Sequence, residues 1–211
     1  MKEECIYGFK NRKIKVYIER NFDNENVYIF YPGLNYGYNS PLFYYLVKKL
    51  IEKQQNFIFF DMDWKHLGDN AEMTFEEIYP HLINEISISF DFANSNFKNC
   101  KFTMIGKSLG SIALEYCKSN DMDKKIYKYM WLTPFKNTKN LREINLIKNK
   151  DYIYVGDADS FYDEKVYKDI GAKSNTRIYS GLDHSFNYKN DILDSIITLK
   201  DVLNNILIDI E

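Results

Sequence analysis

The residues of this chain whose types and spacing suit chemistry start at Gly106-Lys107-Ser108-Leu109-Gly110, a G-x-S-x-G. Before it, Phe102 to Ile105 is a short apolar run of strand type. After it, Leu109, Ile112, Ala113, Tyr116 and Cys117 recur with the spacing of an amphipathic helix stripe. Strand, sharp turn with serine at the apex, then helix is the setting of a nucleophile elbow. A serine pushed out on a tight turn sits in strained backbone, and flanking glycines let neighbouring segments come close. The helix that starts there turns its free N–H groups toward the place where an oxyanion would form. The competing reading of the same five residues is a glycine-rich structural turn.

A serine nucleophile needs a base. The chain has three histidines; His66 and His81 precede the serine, and His184 follows it, after a strand and Gly181. His184 is therefore the candidate base, and His66 and His81 are read as structural or surface residues. Gly156-Asp157-Ala158-Asp159 offers two carboxylates at i and i+2, which in extended chain share one side, so spacing alone leaves both open. Asp157, directly after the glycine, also suits hydrogen bonding to the turn backbone. Asp61-Met62-Asp63-Trp64-Lys65-His66 holds two acids and a histidine but no second ligand cluster. It is read as a solvated loop at the rim of the site, with no metal. Lys107 has the charge to attract an anionic substrate, but the simpler expectation is that it sits aside in the turn and matters little to specificity.

These residues need a scaffold. Residues 5–20 alternate loosely around a turn near Lys10-Asn11-Arg12, as an edge strand or hairpin does. Further strands are expected at Val27–Tyr31, Phe57–Phe60, Phe102–Ile105, Tyr129–Leu132, Tyr152–Val155 and about Thr176–Tyr179. Helices are expected from Pro41, capped by Ser40, to about Gln54, and over Phe75–Phe90. Pro80 kinks that second helix or makes it begin anew. Others follow the elbow, lie in 139–149 and 162–170, and run under the stripe of Ile192, Ile196, Leu199, Leu203 and Ile206. Short apolar strands alternating with helices make a mostly parallel central sheet with helices on both faces, an α/β fold in one domain over 1–211. Chemistry in such sheets sits at the carboxyl ends of the strands, where Gly33, Ser108, Asp157, Asp159 and His184 all fall.

With these residues in place the chain resembles the α/β-hydrolase family over nearly its whole length. PGLNYG followed by PLFYY, GKSLG, GDADSFYD and GLDHSF together look like small bacterial lidless serine hydrolases. Dienelactone-hydrolase-like proteins are also similar, but they carry a cysteine where this chain has Ser108. The resemblance implies Ser108 as nucleophile, His184 as general base and then acid, and a carboxylate after Gly156 to orient the imidazole. The family's G-x-x-D at this strand end falls on Asp159. It also implies an oxyanion hole of two backbone N–H groups, that of Leu109 and one after Pro32-Gly33, taken as Leu34 ahead of Asn35. Hydrolases of this fold often insert a lid after the strand that follows the elbow helix. Here Pro134 to Lys150 has room for one helix, so no cap domain and an open site are expected.

Composition narrows the classes. The chain has 211 residues, 45% hydrophobic and 17% aromatic, and a net charge of −2 with acids and bases interspersed. That gives no footprint for nucleic acid and no polybasic membrane patch. Cys5, Cys100 and Cys117 lack metal or redox spacing and fit a reducing cytoplasm. MKEECIYGFKNRK has no apolar signal core, and no run is long enough to span a membrane. The expected protein is cytoplasmic, needs no cofactor, and takes a small acyl compound: an ester, or else a thioester or amide. An acyltransferase with the same triad, and a non-catalytic binding protein of the same fold, are the competing readings.

Overall fold

The computed structural model describes residues 1–62, 64, 74–120, 122–135 and 148–210. Eight strands form one sheet: β1 Lys2–Tyr7, β2 Lys13–Glu19, β3 Asn26–Tyr31, β4 Asn56–Asp61, β5 Lys101–Lys107, β6 Ile126–Leu132, β7 Asp151–Gly156 and β8 Asn175–Tyr179. Their order across the sheet is β1-β2-β4-β3-β5-β6-β7-β8. The β1–β2 pair is an antiparallel hairpin, turned by Lys10 and Asn11 with φ of 52° and 59°, and β2 pairs antiparallel with β4. The remaining neighbours are all parallel.

Helices cover both faces, and strand alternation decides what each face receives. In β3, Val27, Ile29 and Tyr31 point to one core and Tyr28 and Phe30 to the other. The first core is closed by α2 (Phe75–Asn96), α3 (Ser111–Ser119) and α4 (Glu164–Gly171) through residues such as Leu82, Ile86, Ile112, Leu114 and Ile170. The second is closed by α1 (Pro41–Glu52) and α5 (Ile192–Ile210) through Leu42, Leu46, Val202 and Ile206. The aromatic residues do much of this packing: Phe30 lies edge-on to Phe43 and stacks on Phe59.

Local expectations and structure differ in two places. Helix α2 neither begins anew at Pro80 nor needs to. It starts at Thr74, whose hydroxyl accepts from the Glu77 N–H while the Glu77 carboxylate accepts from the Thr74 N–H, a capping box. The box fixes the start, and Pro80 is carried inside the helix, near that end. Helix α4 begins two residues later than 162, because Asp163 caps it through the Val166 N–H. The helix expected over 139–149 lies outside the described residues, except that 148 and 149 belong to the approach and turn before β7. No separate cap domain stands among the described residues. No described helix is long and apolar enough to cross a membrane.

Candidate active site

All the sequence-selected groups come off the carboxyl ends of parallel strands. Strand β5 runs into Ser108 without a break, and Ser108 to Gly110 form a 3-10 turn before α3 begins at Ser111. Ser108 has φ of 49°, a left-handed conformation that costs a non-glycine residue on the order of 1 kcal/mol or more. The surroundings hold it there. A Cβ on Gly110 would stand 2.1 Å from the Tyr31 carbonyl oxygen, and one on Gly106 would stand 2.7 Å from the Gly110 carbonyl oxygen. Only glycine lets β3, β5 and the turn approach this closely. The Ser111 hydroxyl donates to the Ser108 carbonyl (2.6 Å) and accepts from the Phe135 N–H (3.1 Å), tying the turn to the segment after β6.

The serine meets the histidine. Ser108 Oγ lies 2.8 Å from His184 Nε2, and His184 Nδ1 lies 2.7 Å from Asp159 Oδ2. The Asp159 side chain is 1% exposed against 30% for His184, so the carboxylate is sealed behind a half-open imidazole. Its other oxygen accepts from the Phe161 N–H at 2.9 Å, which fixes the carboxylate plane. The two aspartates of GDAD part company here. Asp157 turns away and accepts from the Gly181 N–H at 2.6 Å, bracing the turn after β8 against the turn after β7. Phe161 stands edge-on to the His184 ring with centroids 5.0 Å apart, and Phe135 stands edge-on to Phe161.

The loop after β3 closes the other side. A Cβ on Gly33 would stand 2.9 Å from the Ser108 Cβ, so Gly33 brings its chain against the serine. The Tyr36 N–H returns to the Gly33 carbonyl (3.2 Å), with Asn35, at the third position of that turn, in the left-handed region at φ 57°. Leu34 is the second residue of that turn and follows Gly33 directly. Leu109 lies at the opening of the 3-10 turn, where N–H groups lack acceptors within the helix. Leu34 thus follows the residue that packs on the Ser108 side chain, and Leu109 follows Ser108 itself.

Three residues have more to do than their sequence suggested. Met62 and Trp64 are buried, 4% and 2% exposed, and the Trp64 indole N–H donates to the Pro32 carbonyl at 3.0 Å. The described part of the 61–66 stretch thus props the Pro32-Gly33 loop and is not a solvated rim; Asp63, Lys65 and His66 lie outside the described residues. Lys107 does not sit aside but is turned inward. It is 1% exposed, and its Nζ donates to Thr133 Oγ1 and to the His184 carbonyl, both at 2.7 Å. Burial pulls its pKa down to about 7, against the upward pull of the Asp159 and Asp183 carboxylates. Its place next to Ser108 was the available signal, but its direction depends on a partner far along the chain. His81 packs on the Phe9 ring, away from these groups. Among the described residues no cluster of His, Cys, Asp or Glu is arranged to hold a metal ion.

This fold recurs in solved structures. An α/β serine hydrolase homologue from Coxiella burnetii superposes with a TM-score of 0.64 at 16% identity, covering 96% of this chain and 95% of that one. The chain has the α/β-hydrolase fold. A member of the α/β serine hydrolases without lid from Xanthomonas campestris matches at 0.62 and 11% identity, over 97% and 94% of the two chains. Dienelactone hydrolase from Anabaena variabilis matches at 0.61 and 12% identity, over 96% and 95%. No family model and no curated protein sequence matches this chain.

Proposed function

We propose that this chain is a serine hydrolase that cleaves a small or open-lying carboxylic ester through an acyl-enzyme. The observation that carries the reading is the unbroken relay Ser108 Oγ–His184 Nε2–Asp159 Oδ2, at 2.8 and 2.7 Å. Ser108 Oγ attacks the ester carbonyl carbon while His184 Nε2 takes the hydroxyl proton. Asp159 holds Nδ1–H and stabilises the imidazolium without taking its proton. The negative oxygen of the tetrahedral intermediate lies against the N–H groups of Leu34 and Leu109. Collapse breaks the bond to the leaving alkoxide, which receives the proton from His184 and departs as an alcohol. Water then gives its proton to His184 and its oxygen to the acyl carbon. The second collapse breaks the bond to Oγ, which regains the proton, and frees a carboxylic acid.

The neighbours named serine hydrolase and dienelactone hydrolase support this class. Half-buried Phe161 beside His184, with Phe135 packed on it, favours an apolar group on the substrate. The dispersed cysteines Cys5, Cys100 and Cys117 suit the cytoplasm.

The test is turnover of p-nitrophenyl esters of rising chain length by wild type and Ser108→Ala, with fluorophosphonate labelling. Wild type should label once, at Ser108, and the alanine variant should lose on the order of a million-fold in kcat. An alanine variant that keeps a few per cent of turnover removes Ser108 as nucleophile. A wild type that neither labels nor turns over any ester favours a binding protein of this fold.

A further inference from the structure

The turn that bears His184 is well ordered within itself. Asp183 Oδ1 accepts from the N–H groups of Ser185 (2.8 Å) and Asn187 (2.9 Å), and the Phe186 N–H returns to the Asp183 carbonyl. These bonds give the turn its shape but do not fix it against Ser108, which comes off a different strand. The Gly181 N–H bond to Asp157 and the Ala158 N–H bond to the Leu182 carbonyl tether its approach to the turn after β7. The bond that reaches the histidine's own main chain from the serine's strand is that of Lys107.

We propose that Lys107 is a positioning residue, whose ammonium group pins the His184 turn to the carboxyl ends of β5 and β6 and so holds the imidazole against Ser108. The inference rests on the reading of Ser108 and His184 as the reactive pair. An ammonium group has three N–H donors and no acceptor. Here it meets the Thr133 hydroxyl on β6's end, the His184 carbonyl, and the Tyr36 ring, whose centroid is 4.7 Å from Nζ. The Phe186 ring, from the same turn as His184, lies 5.7 Å away. One side chain therefore touches three loops that form the site: those after β3, β6 and β8.

The location argues against a filler role. A fully buried ammonium is costly unless its bonds are met, and an apolar side chain of the same length would avoid that cost. The lowered pKa of Lys107 reports the same cost. The far end of the tie is strained too. Thr133 has φ of 40°, where a β-branched residue rarely sits, and is held there by Lys107 and by its own N–H bond to the Tyr154 carbonyl at 2.7 Å. Lysine adjoins the serine in sequence and bonds the histidine's carbonyl, so movement of either end is passed to the other.

The experiment compares Lys107→Met, which keeps the stem and removes charge and donors, with Thr133→Ala, which removes one acceptor and leaves the lysine. Three quantities are read: kcat and KM on p-nitrophenyl acetate, thermal unfolding, and the downfield proton resonance of the His184 Nδ1–H bonded to Asp159. A displacement of ~1 Å can cost ~100-fold in rate. Lys107→Met should lower kcat by about ten-fold or more with KM within about two-fold, and its downfield resonance should broaden or vanish. Thr133→Ala should move both in the same direction by less, about three-fold in kcat. A folded Lys107→Met with wild-type kcat and an unchanged resonance overturns the proposal. Should Lys107→Met fail to fold, a Thr133→Ala protein with wild-type kcat and resonance overturns it. Repeating the resonance measurement in a Ser108→Ala background separates the two readings. Turnover surviving in Ser108→Ala sinks the hydrolase reading alone, while loss of the resonance on adding Lys107→Met still supports the tie.

Discussion

At the scale of single residues, the division of labour between Asp157 and Asp159 is the sharpest feature. They are two positions apart, yet one faces His184 Nδ1 and the other the Gly181 N–H. The tetrahedral chemistry needs Nε2 free to accept, which requires the proton on Nδ1, and a carboxylate at Nδ1 enforces that tautomer. An amide there presents its own N–H to Nδ1 and favours the wrong one. Asp159→Asn should therefore lower kcat by up to ~10⁴-fold. Asp157→Asn keeps an oxygen for the Gly181 N–H and should stay within about ten-fold of wild type. Both are measured on one activated ester. If Asp157→Asn is the crippled variant, Asp159 is not the orienting acid.

At the scale of elements, the elbow depends on how closely β3 and the 3-10 turn can approach. A Cβ on Gly110 would meet main-chain atoms of Tyr31 and Pro32 at 2.1 and 2.6 Å, and backbone cannot step aside as a flexible side chain can. Gly110→Ala should cost about 3 kcal/mol or more in urea unfolding. Gly171, at the end of α4, is the contrast: its Cβ would meet nothing closer than Thr176 at 3.9 Å. Gly171→Ala should be neutral or stabilising by up to about 1 kcal/mol. Equal effects at the two positions would mean the close approach is not what Gly110 serves. Most of the elements were legible because their signals are local: VYIFY and the strand–turn–helix around Ser108 each carry their period within a few residues. Thr74-Phe75-Glu76-Glu77 was equally local, but Pro80 drew the reading toward a break. Lys107 and Trp64 were illegible for another reason. Their partners lie 77 and 32 residues away, and only the packed sheet decides which way each side chain turns.

At the scale of the whole molecule, the reactive groups are dispersed across the sheet. Ser108 follows β5, fourth in from the β8 edge, Asp159 follows β7, and His184 follows β8, which is the edge strand itself. The interior strands are covered on both faces, whereas β8 has one neighbour and an exposed or half-exposed residue at every position. Edges open more readily than centres, in units smaller than the whole fold. The histidine is thus hung on the part of the sheet that loosens first, while the serine is set in a part that loosens last. The two tryptophans report only on the interior: Trp131 is on β6, bonded to Asp151, and Trp64 supports the loop after β3. In a urea titration, esterase activity should fade at lower denaturant than tryptophan fluorescence changes, and coincident midpoints would show that the edge is as firm as the centre. On the proposed reading His184 then acts as a latch on the rim, and mild stress would release it while the core stays folded and Ser108 stays in place.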